Sequence, residues 1–331
     1  MKKVLKSFCL VLLTIFALTF CACKQNVFNA TYVMDASLPL FLSVKKTNNI
    51  NAVKDELQEL VTEFENNFDT KNKVSTISKI NLAKAGERVE VNADFAMLFN
   101  LSKSYNSEFS DFNPSIYPII ELWGLDNFTA HPAGSELSAL PTPEQIESLL
   151  GFCSMNNFSL TGESGKFYIT KVYTECKLDF GAIAKGYFSQ IIAEFLTERG
   201  VKNNSINYAG NIYYCVTKQS YVPSIKIKNA VKNKLVEVDI SLKKAAVVTS
   251  GNYERYYTYN GQIISHILTG EGRQGANELS SVSVINEDGV KCDVLATVAC
   301  LKTKTDAISF LNEQNVLYLI VDSEGNETKN F

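Results

Sequence analysis

Leu178-Asp179-Phe180-Gly181-Ala182-Ile183-Ala184-Lys185-Gly186-Tyr187 is the segment on which the reading of this chain turns. A strand ends in an acid, a glycine lets the backbone turn closely, and a helix begins with a lysine in its first turn. That helix, 183–199, is the clearest in the sequence. Ile183, Tyr187, Ile191 and Phe195 mark one apolar face, and Gly200 stands in the usual stop position. The unpaired N–H groups and the positive end of such a helix suit an anion. Lys185 adds a point charge fit for a phosphate, and Asp179 can accept a hydrogen bond from a ligand. The segment alone leaves a plainer alternative open, with Asp179 as a helix cap and Lys185 as a solvated side chain.

Outward from this segment, short strands alternate with amphipathic helices. Strands are expected at 38–44, 88–91, 205–208, 212–216, 224–227, 236–240, 245–248, 255–259, 262–268, 282–285 and 316–321. Segments 167–169 and 177–180 read as a strand pair. Helices are expected at 50–64, 93–105, 293–301 and 304–312, and Pro143-Glu144 opens another after a turn-rich stretch. Asn260-Gly261 is a strong hairpin signal. Short turns between strands imply antiparallel sheets flanked by helices, an α+β class.

Three further groups carry chemistry. In Lys291-Cys292-Asp293-Val294-Leu295-Ala296-Thr297, Asp293 and Thr297 are four apart and share a helix face. A carboxylate and a hydroxyl so placed, with a backbone carbonyl from elsewhere, suit a hard cation such as Mg2+. Asp293 as a simple helix cap is the alternative. His266, in Ser265-His266-Ile267-Leu268, follows the glycine-containing run Thr249-Ser250-Gly251-Asn252-Tyr253-Glu254-Arg255. It reads as either structural or catalytic, and the other histidine, His131, lies in a Pro/Gly loop. Trp123, the only tryptophan, sits beside Gly124 and could face a flat ring or fill a core.

The N-terminus points to export. Lys2, Lys3 and Lys6 precede an apolar run over 8–20 that is short for a membrane span and ends in Cys21-Ala22-Cys23. Residues 1–22 read as a signal peptide with a lipobox, and Cys23, preceded by the small Ala22, as the lipidated residue. An ordinary cleaved signal peptide is the alternative. Two acyl chains would hold the protein at a membrane, each buried methylene contributing about 0.8 kcal/mol. Removing the three lysines moves the formal charge from -3 to about -6, and an acidic body argues against nucleic acid as a partner. Cys153, Cys176, Cys215, Cys292 and Cys300 remain, with no Cys-x-x-Cys pair. They read as packed thiols with at most a bridge among them, not a zinc site. Residues 24–331 read as one domain.

Taken in order, these segments resemble the ApbE family of flavin transferases, the FAD:protein FMN transferases, from about Met34 to the C-terminus. The resemblance rests on Val33-Met34, Ser75-Thr76-Ile77-Ser78-Lys79-Ile80-Asn81, Phe112-Asn113-Pro114 with Leu122-Trp123-Gly124, and Leu178-Asp179 through Tyr187. It continues in Asn207-Tyr208-Ala209-Gly210-Asn211-Ile212, the run 249–255, Ser265 to Leu268, and Asp293 to Thr297. It implies two subdomains with FAD between them. Met34, Trp123, Gly124, Leu125 and Ile267 would touch flavin or adenine, and Asp179 and Lys185 the polar groups of the ligand. The carbonyl of Ala182, with Asp293 and Thr297, would hold Mg2+, and His266 would stand near the phosphates. The implied reaction moves FMN from FAD to a Ser or Thr hydroxyl of an exported acceptor protein, releasing AMP outside the cytoplasm at the bacterial cell membrane. The chain departs from the family after His266. Where relatives carry Asp-Pro and Thr-Gly, it reads Thr269-Gly270-Glu271-Gly272-Arg273, with Arg273 a candidate for restoring positive charge. Two readings therefore stand beside transfer: an FAD pyrophosphatase, and a flavin-binding lipoprotein without turnover.

Overall fold

The computed structural model describes residues 28, 30–45, 50–126, 133–253 and 255–331. The signal segment 1–22, Cys23 and His131 lie outside them. The chain runs through β1 (Ala30–Met34), β2 (Leu40–Val44), α1 (Lys54–Phe68), α2 (Thr76–Leu82), β3 (Val89–Val91), α3 (Ala93–Glu108) and α4 (Tyr117–Trp123). Next come α5 (Pro143–Leu150), β4 (Phe158–Glu163), β5 (Lys166–Lys171), α6 (Ala184–Glu198), β6 (Asn204–Tyr208) and β7 (Asn211–Cys215). Strands β8 (Ile225–Asn229), β9 (Lys234–Val238), β10 (Lys244–Gly251), β11 (Tyr256–Tyr259), β12 (Gln262–Ser265) and β13 (Leu279–Asn286) follow. Helices α7 (Gly289–Cys300) and α8 (Lys304–Glu313) precede β14 (Leu317–Asp322) and β15 (Glu327–Lys329).

The apolar runs at 245–248 and 316–321 carry no polar alternation because both faces of their strands are covered. They belong to an eight-stranded sheet ordered β1-β2-β6-β7-β10-β13-β14-β15, in which every neighbouring pair is antiparallel. Ala246, Val248, Tyr318 and Ile320 point to one side, against apolar residues of α1, α6, α7 and α8. Ala245, Val247, Leu319 and Val321 point to the other, against the β8–β9 hairpin. A second layer sets α2, α3 and the three-stranded sheet β3-β5-β4 against the start of α6 and one side of α7. A smaller cluster joins α4 and α5 to the β11–β12 hairpin. The result is the expected α+β arrangement of antiparallel sheets and helices.

Local signals explain most boundaries. Helix α5 starts with Pro143 behind a capping box between Thr142 and Gln145. The N–H of Val201 reaches back to the carbonyl of Leu196 at 2.7 Å, and left-handed Gly200 ends α6. Tyr259 pairs with Gln262 across Asn260-Gly261, both at positive φ.

Several expectations need correction. Segment 177–180 is not a strand paired with 167–169. Ser164 and Gly165, at φ 51° and 78°, make a two-residue hairpin turn, so β5 pairs with β4. Lys177 keeps only an isolated parallel bridge to Ile116. The helix expected at 293–301 begins four residues earlier, at Gly289, with Asp288 as its cap. The five described cysteines are all free, so no bridge forms among them. No helix of the described residues is long and apolar enough to cross a membrane.

Helix α6 rests directly on α7 at a pair of glycines. A Cβ on Gly186 would lie 2.1 Å from the carbonyl oxygen of Gly289, and one on Gly289 would lie 2.6 Å from that of Gly186. Only residues without side chains permit this crossing. Gly186→Ala is expected to cost about 1–3 kcal/mol, as overpacking of a tight contact does. Urea denaturation measures it, and an unchanged midpoint would mean that the helices part freely.

Candidate functional site

The approach to α6 is held from both sides. Asn81 clamps the backbone of Leu178 at two points. Its Oδ1 accepts from the Leu178 N–H at 2.7 Å, and its Nδ2 donates to the Leu178 carbonyl at 2.9 Å. Beneath it, the buried Lys171 donates from Nζ to the carbonyls of Asn81, Thr174 and Cys176 at 2.9, 3.0 and 2.8 Å. Burial pulls the Lys171 pKa down. The N–H of Asp179 then donates to the Pro114 carbonyl at 2.8 Å, and its Oδ1 accepts from the Gly181 N–H at 2.6 Å. The residue at the cap position of α6 is Ile183, which offers no side-chain bond, so Asp179 is a turn former rather than the helix cap. Burial raises the Asp179 pKa, while the Gly181 N–H and the charges of Lys185 and Arg255 act against the rise. Lys185 is not merely solvated, since its Nζ donates to the Gly181 carbonyl at 2.7 Å.

Asp293 meets this turn from α7. It lies in the helix interior, 2% exposed, so it is not a cap either. Its Oδ2 accepts from the N–H of Gly186 at 2.8 Å, and its Oδ1 stands 3.9 Å from Lys185 Nζ. In a regular helix the Gly186 N–H would bond to the carbonyl four residues back, that of Ala182. Here it is given to Asp293, which leaves the Ala182 carbonyl without that donor. Thr297 Oγ1 donates to the Asp293 carbonyl at 3.0 Å and lies 3.2 Å from Ser250 Oγ. A carboxylate, two hydroxyls and a carbonyl are hard oxygen donors of the kind Mg2+ takes. Among the described residues no group of three or more His, Cys, Asp or Glu could hold a metal. A set with a single carboxylate fits Mg2+ even so, because that ion keeps several waters and takes phosphate oxygens.

His266 lies just past β12, not in a strand. Its Nδ1 is 2.8 Å from the Arg255 carbonyl. A carbonyl only accepts, so Nδ1 carries the proton and the ring lone pair is on Nε2. Burial lowers the His266 pKa to about 4, with the positive charges of Arg255 and Lys185 adding to the effect. The ring is therefore neutral near pH 7, the form that can accept a proton. Arg273 is half-exposed and 3.8 Å from Glu271, and the positive charges that act on His266 are those of Arg255 and Lys185. Sequence reading quotes Arg255 without a role. Ser250 and Asn81 are missed likewise, although all three stand inside the motifs quoted above.

Lys185 thus bonds to the Gly181 carbonyl and lies near Asp293, which carries the bond from Thr297, and its charge acts on Asp179 and His266. No hydrogen bond or ion pair among the described residues joins the other predicted residues to this group, and they lie in or beside the apolar clusters. Met34 is buried at the end of β1 in the main apolar cluster, and Ile267 packs on that cluster. Trp123 and Leu125 are buried in the cluster around α4, where Trp123 Nε1 donates to the Gly272 carbonyl at 3.0 Å. Gly124, at φ 69°, closes that helix. The polar residues offer cations, oxygen donors for a metal and a neutral base, while the N–H groups of Gly181, Ile183, Ala184, Gly186 and Tyr187 are already bonded within the protein.

The His266 environment has a pH signature. The folded pKa of about 4 lies below the ordinary 6.5, so between these values the unfolded chain binds a proton that the folded chain refuses. This contribution to stability is present above about pH 6.5 and is lost as pH falls through about 4. Proton NMR should give the His266 ring a midpoint near 4. Thermal unfolding of His266→Gln should fall less steeply across that window than the parent.

Comparisons with known proteins bear on the fold and the family. The sequence profile of the ApbE family matches residues 29–320. The FAD:protein FMN transferase of Klebsiella pneumoniae is 28% identical over 251 residues, which cover 75% of this chain and 74% of that protein. The flavin transferase ApbE from Vibrio cholerae shares the fold with a TM-score of 0.74 at 20% identity, over 91% of this chain and 96% of that one. The apo form of the Pseudomonas stutzeri flavinyl transferase ApbE gives 0.76 at 19% identity, over 91% and 94%. By the span of the profile match, from the first strand to the penultimate one, this chain belongs to the ApbE family.

Proposed function

We propose that the chain is an FAD:protein FMN transferase that works with Mg2+ and a Ser or Thr acceptor. The observation that carries this reading is the junction of α6 and α7. Lys185 and the Gly186 N–H meet Asp293 there, beside a histidine kept neutral. The pyrophosphate of FAD binds at the start of α6, where Lys185 and Arg255 offset its charge. The acceptor hydroxyl attacks the FMN phosphorus and forms a new P–O bond. The bond from that phosphorus to the bridging oxygen breaks, and AMP leaves with the electron pair. His266 Nε2 accepts the hydroxyl proton. The carbonyl of Ala182, Asp293 and Thr297 would hold Mg2+, which supplies positive charge to the phosphate oxygens as the bonds exchange. Met34, Trp123, Gly124, Leu125 and Ile267 keep the flavin or adenine contacts that the family resemblance implies. The acceptor is an exported protein, and this chain is held beside it through a lipid on Cys23, on the outer side of the bacterial cell membrane.

Incubating the soluble domain with FAD, Mg2+ and a Ser/Thr acceptor peptide should fix flavin on the peptide and release AMP. FMN and AMP with an unlabelled peptide would instead mean a pyrophosphatase, and unchanged FAD a binding protein. His266→Ala should slow labelling by about 100- to 10,000-fold with FAD still bound. Asp293→Asn should raise the Mg2+ concentration needed for half-maximal rate, because the cation loses its charged ligand. An unchanged Mg2+ requirement would place the metal elsewhere.

Mass spectrometry of the mature N-terminus tests the anchor. A diacylated cysteine at position 23 is expected, and a mature chain starting at any other residue would remove the anchor from this reading.

A further inference from the structure

His266 stands between two fixed points. On one side is Ser265, whose backbone is gripped by the side chain of Gln274. The Ser265 N–H donates to Gln274 Oε1 at 2.8 Å, and Gln274 Nε2 donates to the Ser265 carbonyl at 2.9 Å. On the other side is the turn 269–273, in which the family's Asp-Pro and Thr-Gly are missing. That turn is closed by its own bonds, Thr269 N–H to the Arg273 carbonyl and Gly272 N–H to the Thr269 carbonyl, both 2.8 Å. It is also bolted to the body of the protein. Asn113 Nδ2 donates to the Gly270 carbonyl and Trp123 Nε1 to the Gly272 carbonyl, each at 3.0 Å. Gly270 packs so closely that a Cβ there would lie 1.8 Å from the Ser110 carbonyl oxygen. Leu268 and Gln274 form a bridge that ties the two sides together.

We infer that Gln274 is a positioning residue for His266, and that Asn113 and Trp123 hold the substituted turn that Gln274 closes. None of the three touches the reacting atoms in this assignment. They act by fixing the backbone on both sides of the imidazole, as a base must be held within about 0.5 Å of its working position. The turn that departs from the family pattern is thereby itself firmly supported. The inference rests on the transferase reading for its kinetic consequence, but not for its geometry.

Gln274→Met removes both bonds to Ser265 and keeps the length of the side chain. The expected result is a roughly tenfold lower kcat for acceptor labelling, since small misplacements of a catalytic group cost about that or more. KM for FAD should stay within about twofold, the pattern of a lost transition-state contribution. Made in a His266→Ala background, the same substitution should cause no further loss, because residues acting as a unit are not additive. A raised KM with unchanged kcat, no change at all, or a full repeat of the loss in His266→Ala would each overturn the assignment. Should the wild-type protein label no acceptor, the transferase reading fails, and NMR then decides the clamp alone. The His266 ring signal must shift in Gln274→Met relative to wild type, and an unmoved signal overturns the clamp.

Discussion

The contact between Gly186 and Gly289 sets the geometry of everything around the site. Because neither residue has a side chain, α6 and α7 touch backbone to backbone. Asp293 lies one turn beyond Gly289, so the contact delivers its carboxylate to the first turn of α6. The sheet fixes the other end of the arrangement. α7 lies along β10 and β13, which brings Thr297 to Ser250. Any residue larger than glycine at the crossing would separate the carboxylate from the N–H it accepts, and with it the oxygen donors from the lysine.

Around this junction, positive charge is concentrated without protonating the base. Lys185 and Arg255 both act on His266, and their charges together with burial keep its ring neutral. The same two cations oppose the burial-driven rise of the Asp179 pKa. One group is held unprotonated by repulsion and the other is helped toward its charged form by attraction. Such a set of charges suits an anion and still leaves an acceptor for a proton at neutral pH.

The chemistry-bearing residues are legible in the sequence because their spacing is local. Asp179 and Lys185 flank a strand-to-helix turn, and Asp293 and Thr297 are one helical turn apart. The hairpin at Asn260-Gly261 is legible for the same reason, as a two-residue turn needs positive φ at both positions. The residues that hold the site are not legible. Asn81 reaches Leu178 across 97 positions, and Trp123 reaches Gly272 across 149. An amide or indole that bonds to backbone far away leaves no periodic trace. The misread strand at 177–180 has a related cause. The segment is extended, but its backbone is satisfied in part by the side chain of Asn81 and by Pro114 instead of a full ladder. The role of Asp293 is ambiguous in sequence because its helix begins at Gly289-Val290, residues that give little helical signal.

The ammonium of Lys171, surrounded by three carbonyl oxygens, occupies the place that a potassium or sodium ion takes in other loops. Unlike such an ion, it is tethered to the chain and cannot be diluted away. The three carbonyls at the loop that leads into Asp179 are therefore satisfied by a side chain and call for no bound ion. The cation that shapes this turn is thus part of the covalent chain.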